Sequence, residues 1–172
     1  MSAVRVPMFA PDLLSQPERH RVSKIVSGGQ TGADQAALDV ARELGIEHGG
    51  WIPKGRWTEA GPLDVRYRLR ETPSTEPEQR TEWNVRDADA TLILAHGRPR
   101  GGTALTARWA RRYRKPLLCL DLRRVSETEA IERVRQWLDT VRPQVLNVAG
   151  PRASTDPDIY RKVYRILLRA LM

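Results

Sequence analysis

Cysteine is almost absent. Cys119 stands alone in 172 residues, which excludes a disulfide framework and a cysteine metal cluster. Histidine is nearly as scarce, and His20, His48 and His96 are too scattered for a zinc motif. No metal site is expected. The longest apolar run, Pro116 to Leu120, falls far short of the roughly 20 residues that span a bilayer. Met1 to Leu14 lacks the charged start and apolar core of a secretion signal. These absences predict a cytoplasmic protein with no membrane partner. Lysine is scarce too, limited to Lys24, Lys54, Lys115 and Lys162, while arginine carries the net charge of +8. Such a balance points to an anionic partner, and equally fits base composition with no specific role. No stripe of basic and aromatic residues offers bases a stacking surface, so nucleic acid is the weakest partner.

What is present is a steady rhythm. Residues 1–22, rich in proline and polar side chains, read as an N-terminal extension, and 23–172 as a single domain. Lys24–Ser27 reads as a short strand, followed by a glycine cluster. Ala37, Val40, Ala41 and Leu44 then repeat with helical spacing up to Gly45. His48–Ile52 reads as a weak strand and Tyr67–Glu71 as another. Thr75 and Glu78 form a capping-box pattern that opens a helix to about Asp87. Ala90–Ala95 reads as a buried strand, Thr103–Tyr113 as a helix, and Leu117–Leu122 as the most hydrophobic strand, with Cys119 buried and inert inside it. Ser126 and Glu129 cap a further helix lined by Ile131, Val134, Leu138 and Val141. Val145–Val148 reads as a strand, and Asp156-Pro157 as the start of a last helix with Ile159, Val163, Ile166, Leu167 and Ala170 inward. Alternating strands and helices predict an α/β fold, a Rossmann-like three-layer sandwich with a mostly parallel sheet covered on both faces.

In an open parallel sheet, ligands bind at the carboxyl ends of the strands, and the unusual residues fall there. The first strand runs into Ser27-Gly28-Gly29-Gln30-Thr31-Gly32-Ala33-Asp34. Glycines let a backbone turn tightly onto an anion, and a helix beginning near Thr31 would aim free N–H groups at it. Asp34 is either a first-turn carboxylate facing the helix dipole or the holder of a ligand hydroxyl, amine or cation. Gly101-Gly102-Thr103 repeats the device, with Arg98 and Arg100 before it and Thr106 one turn on. Together they form a candidate oxyanion clamp, unless the arginines are merely solvated. Gly150-Pro151-Arg152-Ala153-Ser154 brings another arginine, with Ser154 or Asp156 as candidate helix caps. Lys54, between Trp51 and Trp57, is a candidate cover for a planar ligand. His96 is a general acid or base, or simply structural.

The glycines do not follow the dinucleotide fingerprint G-x-G-x-x-G, and no Gly-Lys-Ser/Thr completes a Walker A loop. NAD and ordinary ATPase readings lose ground accordingly.

Taken together, Ser27–Asp34, Gly50-Trp-Ile-Pro-Lys-Gly55, Gly101-Gly-Thr103 and Asn147-Val-Ala-Gly-Pro-Arg152 resemble the "putative molybdenum carrier" family, the circularly permuted YpsA-like branch of the SLOG superfamily. The resemblance runs from Lys24 to the C-terminus. It implies a Rossmann-like fold, a homo-oligomer (dimer or tetramer), and a pocket for a phosphorylated pterin- or nucleotide-like ligand, with molybdenum cofactor or a nucleotide as the bound molecule. Its carry-over is strongest for Gly28, Gly29, Thr31, Gly32 and Asp34, then Gly101, Gly102 and Thr103, with Gln30, Lys54, Arg98, Thr106 and Arg152 as further candidates. Related SLOG hydrolases of nucleoside monophosphates carry P-G-G-x-G-T-x-x-E. Here the stretch reads Arg100-Gly-Gly-Thr-Ala-Leu-Thr-Ala107, and the glutamate is missing. No catalytic residue is therefore assigned, and a binding protein is expected ahead of a nucleotide-processing enzyme.

Overall fold

The structure, a computed structural model, describes residues 18–172. Most of the expected N-terminal extension, residues 1–17, lies outside the described residues. Five parallel strands form the central sheet in the order β2-β1-β9-β7-β8. They are β1 (Lys24–Val26), β2 (Glu47–Gly49), β7 (Ala90–Ala95), β8 (Leu117–Asp121) and β9 (Val145–Ala149). The helices are α1 (Ala33–Leu44), α2 (Pro77–Asp87), α3 (Gly101–Arg112), α4 (Glu127–Val141) and α5 (Ile159–Leu171). α5 packs between α1 and α4, and α2 packs on α3, which gives the three layers.

The two faces of the sheet differ in chemistry. On the side of α1, α4 and α5, Ile25, Leu92, Leu94, Leu120, Leu146 and Val148 join one apolar core with the inner helix residues. Ile159, Val163, Ile166 and Leu167 are all buried there, as their spacing predicts. Val22 belongs to that core as well. The other face carries Thr91 and Asn147, buried and paired in register across β7 and β9.

Helix boundaries follow the backbone. Gly45 ends α1 in the left-handed region at φ 69°. Ser126 caps α4 by accepting from the Glu129 N–H, as expected. The Thr75–Glu78 box does not form: Glu76 stands at the N-cap of α2 without a side-chain bond, and the Ser74 hydroxyl accepts from the Glu76 N–H instead. α5 starts at Ile159, so neither Ser154 nor Asp156 caps it.

Two expectations fail at the margins of the sheet. Cys119 is exposed, because β8 is an edge strand whose outward side chain nothing in the described residues covers. The stretch His48–Ile52 is also not one strand. Gly50, at φ 124°, turns the chain between β2 and β3 (Trp51–Ile52), and β3 pairs with β6 (Arg70–Glu71) in a separate small sheet. Between them lies a hairpin of β4 (Trp57–Thr58) and β5 (Gly61–Pro62). Ile52, Leu63, Tyr67 and Leu69 close over Leu38 as a second small core. Arg56 ties this excursion down, donating to the carbonyls of Asp64, Tyr67 and Leu69.

Candidate functional site

A cleft of about 960 Å³ opens at the carboxyl edge of the sheet, where a parallel α/β fold binds its ligands. The β7–α3 turn forms one wall. The Gly101 and Gly102 amides at the start of α3 donate to nothing among the described residues, whereas those of Thr103 and Ala104 turn back to the Arg100 carbonyl. The first turn of α3 holds no acidic residue, so the positive end of its dipole is uncompensated. Arg98 and Arg100 add charge beside it. Thr103 and Thr106 are buried and line the same wall, with the Thr106 hydroxyl donating to the Gly102 carbonyl. Free helix-start amides beside two arginines are the chemistry that suits an anion.

The wall built on the β1–α1 loop is different, because its amides are largely taken. Gln30 N–H donates to the Asp34 carboxylate, Thr31 N–H to the Gln30 side chain, and Ala33 N–H to the Pro151 carbonyl. Gly28, Gln30 and Asp34 line the cleft. Gly29, Thr31 and Gly32 instead hold the loops together. Gly29 sits at φ 74°, where a Cβ would press on Leu63 and Leu69 at 2.9 and 3.0 Å. Gly32, at φ 83°, lets the Pro151 carbonyl approach to within 2.5 Å of where a Cβ would stand. The Thr31 hydroxyl donates to Glu59 and accepts from the Ala153 N–H. Glu59 also accepts from the backbone and hydroxyl of Ser154 and faces Arg152 at 3.9 Å. The Ser154 and Thr31 hydroxyls hold the Glu59 carboxyl below the usual carboxylate range. Arg152 itself lines the cleft.

Asp34 is the buried carboxylate of the site, 8% exposed. Burial pushes its carboxyl up to about 6, against the attraction of Arg80 and the amides of Gln30 and Gly28. Arg80 is a wall residue that sequence reasoning missed. It reaches from α2 and donates to the Gly28 carbonyl at 2.6 Å. The polar inner positions of α2, with Thr81 and Asn84 buried at i and i+3, are the signal that locates such a wall: a helix with polar residues on its inward face lines a cleft.

His96 lies at the end of β7, its Nδ1 2.6 Å from the Asp156 carboxylate, and both line the cleft. The ring nitrogen donates and the carboxylate accepts, which fixes the imidazole and ties the loop before α5 to the sheet. Lys54 is exposed and does not line the cleft. Trp51 lies away from it, edge-on to Trp83 and donating to Asp87, while Trp57 is exposed. Groups of His, Cys, Asp and Glu able to hold a metal ion are absent among the described residues, and no helix among them is long and apolar enough to cross a membrane.

Residues 25–171 match the circularly permutated YpsA SLOG family. The chain belongs to that family. A crystal structure described as a putative molybdenum carrier protein from Syntrophus aciditrophicus is 47% identical, covers 90% of this chain and 98% of its own, and superposes with a TM-score of 0.88. No curated protein matches the sequence. The YpsA-like family assignment thus agrees with the resemblance in the loops, and the neighbour with the Rossmann-like sheet.

Proposed function

We propose that this SLOG-family protein is a cytoplasmic homo-oligomer that carries a phosphorylated pterin- or nucleotide-like molecule, with molybdenum cofactor as the leading cargo. The observation that carries the reading is the start of α3, where the Gly101 and Gly102 amides, without a partner among the described residues, and the charges of Arg98 and Arg100 meet the cleft. Backbone N–H groups and arginines bind phosphate by charge-assisted hydrogen bonds. Thr103 and Arg152 complete the proposed grip. The neighbour described as a molybdenum carrier supports the choice of cargo.

Native mass spectrometry of gently purified protein tests the proposal. A retained pterin or nucleotide mass is the expected result, and a protein that stays empty when incubated with phosphorylated pterins and nucleotides overturns it. The raised pKa of Asp34 favours a second reading, nucleotide hydrolysis, since a carboxyl near 6 is suited to acid–base work. Release of free base from nucleoside monophosphates, lost in Asp34→Asn, is the result that would replace the carrier by the enzyme.

A further inference from the structure

Phosphate binding at α3 leaves one feature of the cleft unused. Asp34 is buried in the lining of the same cleft; its carboxylate accepts from the Gln30 N–H and from no side chain among the described residues. Arg80 and Arg152 attract it through space, yet neither comes within ion-pair distance. One backbone amide leaves a carboxylate with acceptor capacity to spare, and Asp34 presents it to the cleft. A phosphate would avoid this end and settle at the positive start of α3. The opposite end of the same ligand must then bring hydrogen-bond donors.

The lining of the cleft narrows the choice of donor. Gly28, Ala95, Ala149 and Gly150 are among the lining of the cleft that holds Asp34, and such small residues leave room for a ring. The Arg80 guanidinium lies directly over Gly28, within 2.3 Å of where a Cβ would stand, and a guanidinium plane stacks well on an aromatic ring. A carboxylate has two acceptor oxygens side by side, matched by two parallel donors on one ring edge.

We propose that Asp34 recognises the N–H and NH₂ edge of a 2-amino-4-oxopyrimidine ring, the edge that guanine and pterin share, while the phosphate of the same ligand lies at the start of α3. The proposal rests on the carrier reading and adds the class of ring. Adenine lacks the paired donors, and hypoxanthine keeps the ring N–H but lacks the amino group. Guanine and pterin differ elsewhere, so comparing them separates the two sources of the edge.

Titration calorimetry with GMP, IMP, AMP and 6-hydroxymethylpterin phosphate, with inorganic phosphate as a control, tests it. The expected order is GMP or the pterin first, then IMP about tenfold weaker, then AMP weaker again. Whichever of GMP and the pterin binds tighter names the source of the edge. Asp34→Asn, which places an amide donor against the ring donors, should bind GMP, IMP and AMP alike while keeping its grip on phosphate. GMP affinity should also fall as the pH drops below about 6, where Asp34 takes up a proton. Equal binding of GMP, IMP and AMP to the wild type overturns the ring assignment and leaves the carrier reading standing. A preference for GMP that survives Asp34→Asn also overturns it. Failure of every phosphorylated probe and of phosphate itself overturns both.

Discussion

The Arg80 guanidinium donates to the Gly28 carbonyl at 2.6 Å and fills the space a side chain on residue 28 would need. One hydrogen bond thus joins α2 to the β1–α1 loop, and a side chain at residue 28 would have to displace the Arg80 guanidinium that makes it. The bond also places a cation over the cleft floor beside Asp34. The local structure and the electrostatics of the site have a single origin there.

Glycines in the loops fall into two kinds, and substitution separates them. Gly29→Ala forces a side chain into the left-handed region and against Leu63 and Leu69, so a loss of about 1–3 kcal/mol in denaturant unfolding is expected. Gly102 has open space at its Cβ position and lines the cleft. Gly102→Val should change stability by less than about 1 kcal/mol and weaken phosphate binding at least tenfold. Intact binding by a well-folded Gly102→Val protein would remove α3 from the site.

Asp34 should cost the unliganded protein stability. Its folded pKa of about 6 lies above the ordinary carboxylate value of 3.8, so the folded state binds more protons than the unfolded state between those values. Stability therefore falls as the pH rises through that window, by about 3 kcal/mol in total. Asp34→Asn should melt higher than the wild type at pH 8 and close to it at pH 4. A variant that melts lower at pH 8 would show that the carboxylate is needed for folding.

Glu59 should act in the opposite sense. Its carboxyl is depressed by the Ser154 and Thr31 hydroxyls, so its contribution is present above the unfolded pKa near 4.5 and lost as the pH falls through the lower folded value. Glu59→Gln is expected to melt below the wild type at pH 7, with the gap closing under acid. Melting curves at the two pH values check this.

Exposure of Cys119 predicts its reaction with a thiol reagent in the native protein. Desolvation holds its thiol pKa above the ordinary value, so labelling should speed up as the pH rises. Protection at the concentration where sedimentation shows an oligomer would place β8 in the subunit contact.

The regular elements were legible because their apolar residues repeat with the helical or strand period over many positions. Ile159 to Ala170 is the clearest case. The excursion from Pro53 to Thr72 was not legible, since its strands are two residues long and a single bend at Gly50 reassigns them. Within the loops, the residue types foretold a cleft: Gly28, Gln30, Asp34, Arg98, Gly101, Gly102, Thr103, Thr106 and Arg152 all line it. Spacing alone does not say which amides stay free. That depends on partners distant in sequence, such as the Pro151 carbonyl that takes the Ala33 N–H. Cys119 was misjudged for a related reason: a hydrophobic strand reads the same at the edge of a sheet as in its middle.

The middle strand of this sheet is the last strand to leave the ribosome. β9 pairs with β1 on one side, Lys24 facing Val145, and with β7 on the other. Until residues 145–149 emerge, nothing joins the β1–β2 pair to the β7–β8 pair. Closing them together demands contacts between residues far apart in sequence, which slows folding. A chain that ends before Val145 would leave the β9-facing edges of β1 and β7 unpaired, so the sheet closes only with its last strand.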